Sequence, residues 1–263
     1  MVSPVHVIGD IHGQLEKLCD LLRGAGLTGR DETWAGADNT LWLIGDLVDH
    51  GPDGVGVIEL VMGLQEQARG PGGAVHVLIG NHDLLLLAAY HLGTRPVGVF
   101  GETFRDVWQE SGGVDSDLDR LTPKHVRWLT ALPAMMREGD HLLVHGDTLL
   151  YTRHGRTIEE VNQAMSGLLQ SDDPARWRRM LDEFGEHRVF ADPAAGPARA
   201  EAFLRRFGGR QIVHGHTPIA KMAGQPAETV REPLLYAGDR CVNVDAGLYL
   251  GGPGFVYNLP SLI

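Results

Sequence analysis

VHVIGDIHG, residues 5–13, carries two messages: a short β-branched apolar run that reads as a buried strand, and a polar cluster that starts where the run stops at Gly9. The same arrangement returns in LWLIGD at 41–46, AVHVLIGNHD at 74–83, HLLVHGD at 141–147 and QIVHGH at 211–216. Helix-like segments separate the early runs, at roughly 14–26 (apolar Leu15, Leu18, Leu21 and Leu22), 53–68 and 83–92. Alternation of strand and helix predicts an α/β fold. Because each polar cluster follows a strand, all five are expected to gather at one sheet edge, where open α/β folds place their sites.

Beyond these runs the pattern changes. From about 95 to 140, and again from about 148 to 208, amphipathic stretches bearing Arg, Glu and Trp predict helical insertions. Two readings of them stand open: they shape the mouth of the site, or they close the back of the sheets as helices ordinarily do. A final pair, CVNVDAGLYL at 241–250 and GFVYNL at 254–259, reads as a hairpin around Gly251-Gly252-Pro253. With no internal repeat, low-complexity tract or linker, residues 1–263 are expected to form a single domain.

Composition excludes several classes of function. An apolar share of 43% is ample for a core, and a formal charge of −11 argues against an extended nucleic-acid surface or an anionic membrane as partner. No window reaches the apolar length of a membrane span, and MVSPVHVIGD lacks the features of a secretory signal, which points to the cytoplasm. Cys19 and Cys241 are the only cysteines and belong to no paired motif, so both read as ordinary thiols.

The chemistry lies in the polar clusters. Asp10 and His12, two apart in an extended segment, point to the same side and can share a cation. Gly9, Gly13, Gly45 and Gly80 clear space around Asp10, His12, Asp46 and Asn81. Oxygen donors from Asp and Asn mixed with imidazole suit Mn, Fe or Zn, whereas an all-oxygen set would indicate Mg or Ca. Two divalent ions among two aspartates and one hydroxide would leave local positive charge, enough to draw an anionic substrate into an acidic protein.

In these words the sequence resembles the calcineurin-like metallophosphoesterases, and within them the protein phosphatase-type serine/threonine branch with its bacterial and phage relatives. The matching words are G-D-I-H-G at 9–13, G-D-L-V-D-H-G at 45–51, G-N-H-D at 80–83, V-H-G-D at 144–147 and G-H-T-P at 215–218, in the family's order. N-V-D-A-G at 243–247 resembles the family's last strand. Five words in order are far more specific than a lone Gly-Asp-x-His. The resemblance implies a four-layer α-β-β-α sandwich of two mixed sheets with helical insertions over the metal site. It also implies that Asp10, His12 and Asp46 hold one metal, and that Asp46, Asn81, His145 and His216 hold a second. A water shared by the two ions, Mn above all with Fe or Zn as alternatives, would be the nucleophile. His82 would protonate the leaving oxygen, with Asp49 orienting its ring.

Two departures bear on the substrate. His50 stands where serine/threonine phosphatases carry a phosphate-gripping arginine, and Asp83 ends the third word where that branch has Glu. Pro218 occupies the place of the second His in the Gly-His-x-His of many phosphodiesterases, which favours monoester or anhydride cleavage over diester cleavage. Arg188 is the candidate for a second phosphate grip beside Asn81 and His50. His214 reads as a packing or supporting histidine. His6, His76, His91, His125, His141, His154 and His187 read as surface or packed residues, Arg176, Arg178 and Arg179 as a solvated basic face, and Trp177 and Phe184 as core. The expected enzyme is a hydrolase of phosphoric ester or anhydride bonds. Its substrate would be a phosphoprotein or small phosphomonoester, with a dinucleoside polyphosphate as the close rival. The rival of another class is a metal-stabilised binding module without catalysis.

Overall fold

The computed structural model describes residues 3–97 and 101–260. In chain order the elements begin β1 (Val5–Ile8), α1 (Leu15–Gly24), β2 (Thr40–Leu43), α2 (Gly54–Ala68), β3 (Ala74–Val77) and α3 (Asn81–Leu92). Three short helices follow, α4 (Phe104–Glu110), α5 (Asp115–Arg120) and α6 (Pro123–Leu129), and then β4 (Met135–Glu138) and β5 (His141–Val144). The second half adds α7 (Leu150–His154), α8 (Ile158–Leu169), α9 (Pro174–Phe184), α10 (Gly196–Phe207), β6 (Gln211–His214), α11 (Ile219–Ala223), β7 (Leu234–Tyr236), β8 (Cys241–Asn243) and β9 (Tyr257–Asn258).

The strands form two mixed sheets, ordered β3-β2-β1-β9 and β4-β5-β6-β8-β7. Their alternation explains the layers. Val7 and Trp42 of the first sheet meet Leu143, Val213 and Val242 of the second in a core between the sheets. The alternate residues, among them Ile8, Leu41, Leu43, Val75 and Val77, face outward against Leu18, Leu22, Ile58 and Val61 of α1 and α2. On the far side Leu142, Val144 and Ile212 share a core with Tyr151, Val161 and Phe203 of α7, α8 and α10. This is the expected four-layer α-β-β-α sandwich.

Three details differ from the sequence expectation. The predicted C-terminal hairpin does not form: β8 lies in the second sheet between β6 and β7, whereas β9 pairs antiparallel with β1 in the first, His6 opposite Asn258 and Val7 opposite Tyr257. The edge of β1 needs a partner for its backbone groups, and the chain crosses between sheets through a short helical turn at Leu248–Leu250 to supply one. The hairpin is β7–β8 instead. A strand, β4, also lies within the stretch read as helical, pairing antiparallel with β5 as an edge.

The two readings of the insertions each hold for a part of them. Helices α8 and α10 pack on β4 and β6 at the back, and α4 and α9 pack on α3 beside the site.

Candidate metal centre

Strands β1, β2, β3, β5 and β6 are all four residues long, and the polar words begin within four residues of their C-terminal ends. The loops are stitched to one another. Ile11 and His12 donate their amides to Asp46 O (3.0 and 2.8 Å), and Gly13 N donates to Leu47 O at 2.8 Å. The fully buried Asp83 carboxylate accepts from Asp46 N (3.0 Å), Gly80 N (2.9 Å) and Leu47 N (3.0 Å), tying the loops after β2 and β3 together. Space is tight: a Cβ on Gly80 would overlap Asp46 Oδ1, and one on Gly215 would overlap Asp10 Oδ1. His12, Asp46, Asp49, His50 and His216 all hold left-handed backbone, with φ of 48°, 51°, 67°, 61° and 71°. Asp10 and His12 therefore converge through a turn at His12 and not by strand alternation.

The six expected ligands come together. Ligand atoms of Asp10, His12 and Asp46 lie within 4.8 Å of one another, as do those of Asp46, His145 and His216, so Asp46 belongs to two adjacent sets. His12 Nε2 is 3.9 Å from Asp10 Oδ2 and 3.7 Å from Asp46 Oδ2; His145 Nε2 is 3.4 Å from Asp46 Oδ2. Asn81 Oδ1 completes the second set, 3.0 Å from His145 Nε2 and 2.8 Å from His216 Nδ1. The other ring nitrogens are held from behind: His12 Nδ1 meets Val48 O at 3.1 Å and His145 Nδ1 meets Ile44 O at 2.8 Å. Such backing fixes the orientation of ligating imidazoles.

The electrostatics call for added positive charge. Burial, then the neighbouring Asp245 and Asp46, raise the Asp10 carboxyl well above its usual range. Burial also drives Asp245 up to about 7, and its Oδ2 is buried without a hydrogen-bond partner among the described residues. No Lys or Arg among the described residues pairs with Asp10, Asp46 or Asp245. Burial opposes charge on Asp46 as well, but His145, His82 and His12 outweigh it and hold the carboxyl well below its ordinary value. His145 is the counterpart: burial pushes it down, while Asp46 and Asp10 hold it up at about 10. Burial takes His12 and His216 down to about 3, neutral rings with lone pairs for a cation.

Beside these sets stands a second device. His82, in the first turn of α3, donates its amide to Asp46 Oδ1 (2.8 Å), and its Nδ1 meets Asp49 Oδ2 at 2.9 Å. Asp49 Oδ1 accepts from Trp108 Nε1 at 2.8 Å, and both residues are fully buried. Burial lowers the His82 ring, but the carboxylates of Asp46 and Asp49 outweigh it and raise the ring above its ordinary value.

The sequence model of the calcineurin-like phosphoesterases matches residues 3–220. The chain belongs to that family. Its curated relatives include a symmetrical bis(5'-nucleosyl)-tetraphosphatase of Chromobacterium violaceum, 31% identical over 250 residues, covering 81% of this chain and 80% of that protein. One of the same name from Bordetella parapertussis is 29% identical over 209 residues, and the match spans 78% of this chain but only 64% of that protein's length. Among solved structures, a cold-active protein-tyrosine phosphatase of a Shewanella species shares the fold with a TM-score of 0.74 at 22% identity, over 97% of this chain and 75% of that one. Membership in the calcineurin-like phosphoesterases implies divalent metal ions. The donor set fits them: acceptor oxygens and imidazoles converge on Asp46, and among the described residues no Lys or Arg pairs with the buried carboxylates, whose one cationic neighbour is the His145 ring that a metal would deprotonate.

Around this calcineurin-like centre the residues expected to meet a substrate divide. Asn81, His50 and His82 line a cleft of about 440 Å³, but Arg188 does not; it is exposed on the loop after α9. His50 stacks on Tyr249 (ring centroids 4.5 Å apart, planes 14° apart), and its ring lies 4.9 Å from those of His12 and His82. Burial and then His82 lower its pKa, so the ring carries positive charge less readily than an arginine would at that place. The basic side chain lining this part of the cleft is Lys221, whose Nζ is 3.1 Å from Tyr249 Oη. Sequence reasoning passed over Lys221, Tyr249, Trp108 and the stapling role of Asp83, and it read His187 as ordinary although that residue lines the cleft. Asp83 ends a recognised word, and Lys221 and Tyr249 follow closely on G-H-T-P and N-V-D-A-G, whereas Trp108 stood near none. His214 turns away from the centre and lies 2.7 Å from Tyr236 Oη, which in turn donates to Asp147 Oδ2 at 2.6 Å.

Among the described residues, no helix is long and apolar enough to cross a membrane.

Proposed function

We propose that this protein hydrolyses phosphomonoesters of alcohols with the help of two divalent ions, Mn by preference. One ion would sit on Asp10, His12 and Asp46, the other on Asp46, Asn81, His145 and His216. When bound, the ions supply a water that is nucleophilic near neutral pH and positive charge that neutralises the phosphate. The remaining work belongs to the chain. Asn81 and His50 line the space over the ligands and orient the phosphate. His82, its Nδ1 held by Asp49, offers Nε2 as the atom that gives a proton to the leaving oxygen.

The observation that carries this reading is the buried Asp49 carboxylate between His82 and Trp108. A built acid of this kind assists the departure of a poor leaving group such as an alkoxide, and it is open to both readings of the substrate. A second reading, cleavage of dinucleoside polyphosphates, is favoured by the names of the curated relatives. The test is metal-stripped protein reloaded with Mn and offered an aryl phosphate, a phosphoserine peptide and a diadenosine polyphosphate side by side. Preference for the peptide supports the first reading and preference for the dinucleotide the second. Silence on all three with metal bound would return weight to a non-catalytic binding module.

A further inference from the structure

The cleft over the metal centre continues into a second lobe of about 300 Å³, and Asn81, Leu85, Ser111 and Gly185 line both parts. Val107 of α4 and Leu181 of α9 wall the new lobe. Of the sequence words only G-N-H-D touches it, through Asn81 at the junction. We propose that this lobe is the leaving-group subsite and that it takes an uncharged apolar alcohol, an aryl or alkyl group the size of one ring system. The inference rests on the reading of His82 as the proton donor.

Position is the first argument. A general acid marks the side on which the leaving oxygen departs, and Leu85 lies one helical turn beyond His82 on α3, at the junction of the two parts of the cleft. A group bonded to that oxygen has this lobe directly before it.

Chemistry is the second. Leu85, Val107 and Leu181 present aliphatic surface, and at this volume the lobe is at the small end of ligand pockets, too small for a folded peptide segment. Its charges disfavour a polyanion. Arg178 is paired with Asp182, its Nε lying 2.8 and 2.9 Å from the two carboxylate oxygens, which leaves Glu102 as a further acidic residue of the lobe, with Glu110 on the metal side of the cleft. A nucleoside diphosphate leaving in this direction would meet negative charge, whereas a neutral ring would not.

Rigidity is the third. Thr103 caps α4 through Asp106 N, Ser111 Oγ donates to Val107 O at 2.8 Å, and α9 is anchored by the buried Trp177 and Phe184. The walls therefore stand before a ligand arrives, and little ordering opposes binding.

The experiment uses the full chain loaded with Mn. Phenyl phosphate and 2-naphthyl phosphate, whose leaving groups are similar in acidity, are compared by kcat/KM, and binding of 2-naphthol is followed separately by its fluorescence. The larger ester is expected to be favoured by about tenfold, and Leu181→Trp, which fills the lobe, to bring the ratio close to one and to weaken naphthol binding by a similar factor. Val107→Trp fills the lobe from the other wall and repeats the test should Leu181→Trp fail to fold. Equal kcat/KM for the two esters, with naphthol binding unmoved by either variant, overturns the subsite. If neither ester is hydrolysed but naphthol binds and a filling variant abolishes it, the subsite stands and the reading of the reaction fails.

Discussion

At the metal end of the cleft the side chains arrive from five strand-end loops, five residues hold left-handed backbone, and the buried groups are charged. At the α4–α9 end aliphatic residues on ordinary helical turns line the wall, and the charged lining residues Glu102, Arg178 and Asp182 are exposed. The difference separates two jobs. A cation site needs several hard-to-bury groups at fixed positions, and left-handed backbone costing about 1–3 kcal/mol per residue persists only where the surroundings over-determine it. A surface that accepts part of a substrate needs area and shape, which many sequences supply equally well. The metal end is consequently intolerant of change and the far end permissive.

The sharpest way to break this contrast is Asp46→Asn. Asp46 belongs to both ligand sets and accepts the His82 amide, so the variant should lose bound metal, measured by elemental analysis, and about 10³-fold or more in kcat/KM. Retention of both ions and of the rate would remove the bridging role. Next comes His82→Ala, which should keep its metal yet lose about 10²–10⁴-fold on alkyl phosphates and far less on nitrophenyl phosphate, whose leaving group needs no proton. Equal losses on the two substrates would show that His82 is not the acid. Trp108→Phe removes one donor from Asp49 and leaves the ligands untouched. A fall of about tenfold is expected, with the pH-rate profile displaced because the His82–Asp49 pair is retuned. An unchanged profile would mean that Trp108 only fills space.

The smallest effect concerns stability and needs no substrate. In the metal-free protein, burial raises Asp83 and Asp245 to about 7, and the neighbouring carboxylates, against burial, raise His145 to about 10. Each of these groups holds its proton more tightly folded than unfolded. The stabilisation is therefore complete at low pH and is lost as pH rises, first through about 7 and then through about 10. Below about pH 7 the lowered His12 and His216 act in the opposite sense, so the melting temperature of metal-free protein should fall between about pH 7 and 10, as His145 loses its proton. With Mn present the fall should shrink, because the cation replaces the protons. Calorimetry across that range with and without metal checks it, and a flat metal-free curve would contradict the charge balance derived for the centre.

How legible each end was in the sequence follows from the same contrast. That Asp10, His12, Asp46, Asn81, His145 and His216 would converge was legible because each lies in a short word attached to the end of a strand. His82 and Asp49 stood in the same words. Arg188 was the exception: its local match was poor, and the loop after α9 carries it outside the cleft. Trp108, Lys221 and Leu181 gave no signal, since a tryptophan on an amphipathic helix, an exposed lysine and a helical leucine have the same local pattern whether or not they face a site.

The C-terminal segment shows the limit most directly. CVNVDAGLYL and GFVYNL have the alternation and turn residues of a hairpin, and nothing local distinguishes pairing with each other from pairing with two different sheets. By itself, the sequence determined the elements that local periodicity specifies and the chemistry that short words encode, because both depend on neighbours a few residues apart. Only the tertiary structure decided the edge that β9 covers, the donor that steadies Asp49 and the walls of the second lobe. Those depend on which distant backbone edges and faces remain unsatisfied once the two sheets have packed, a property of the assembled chain and of no single segment.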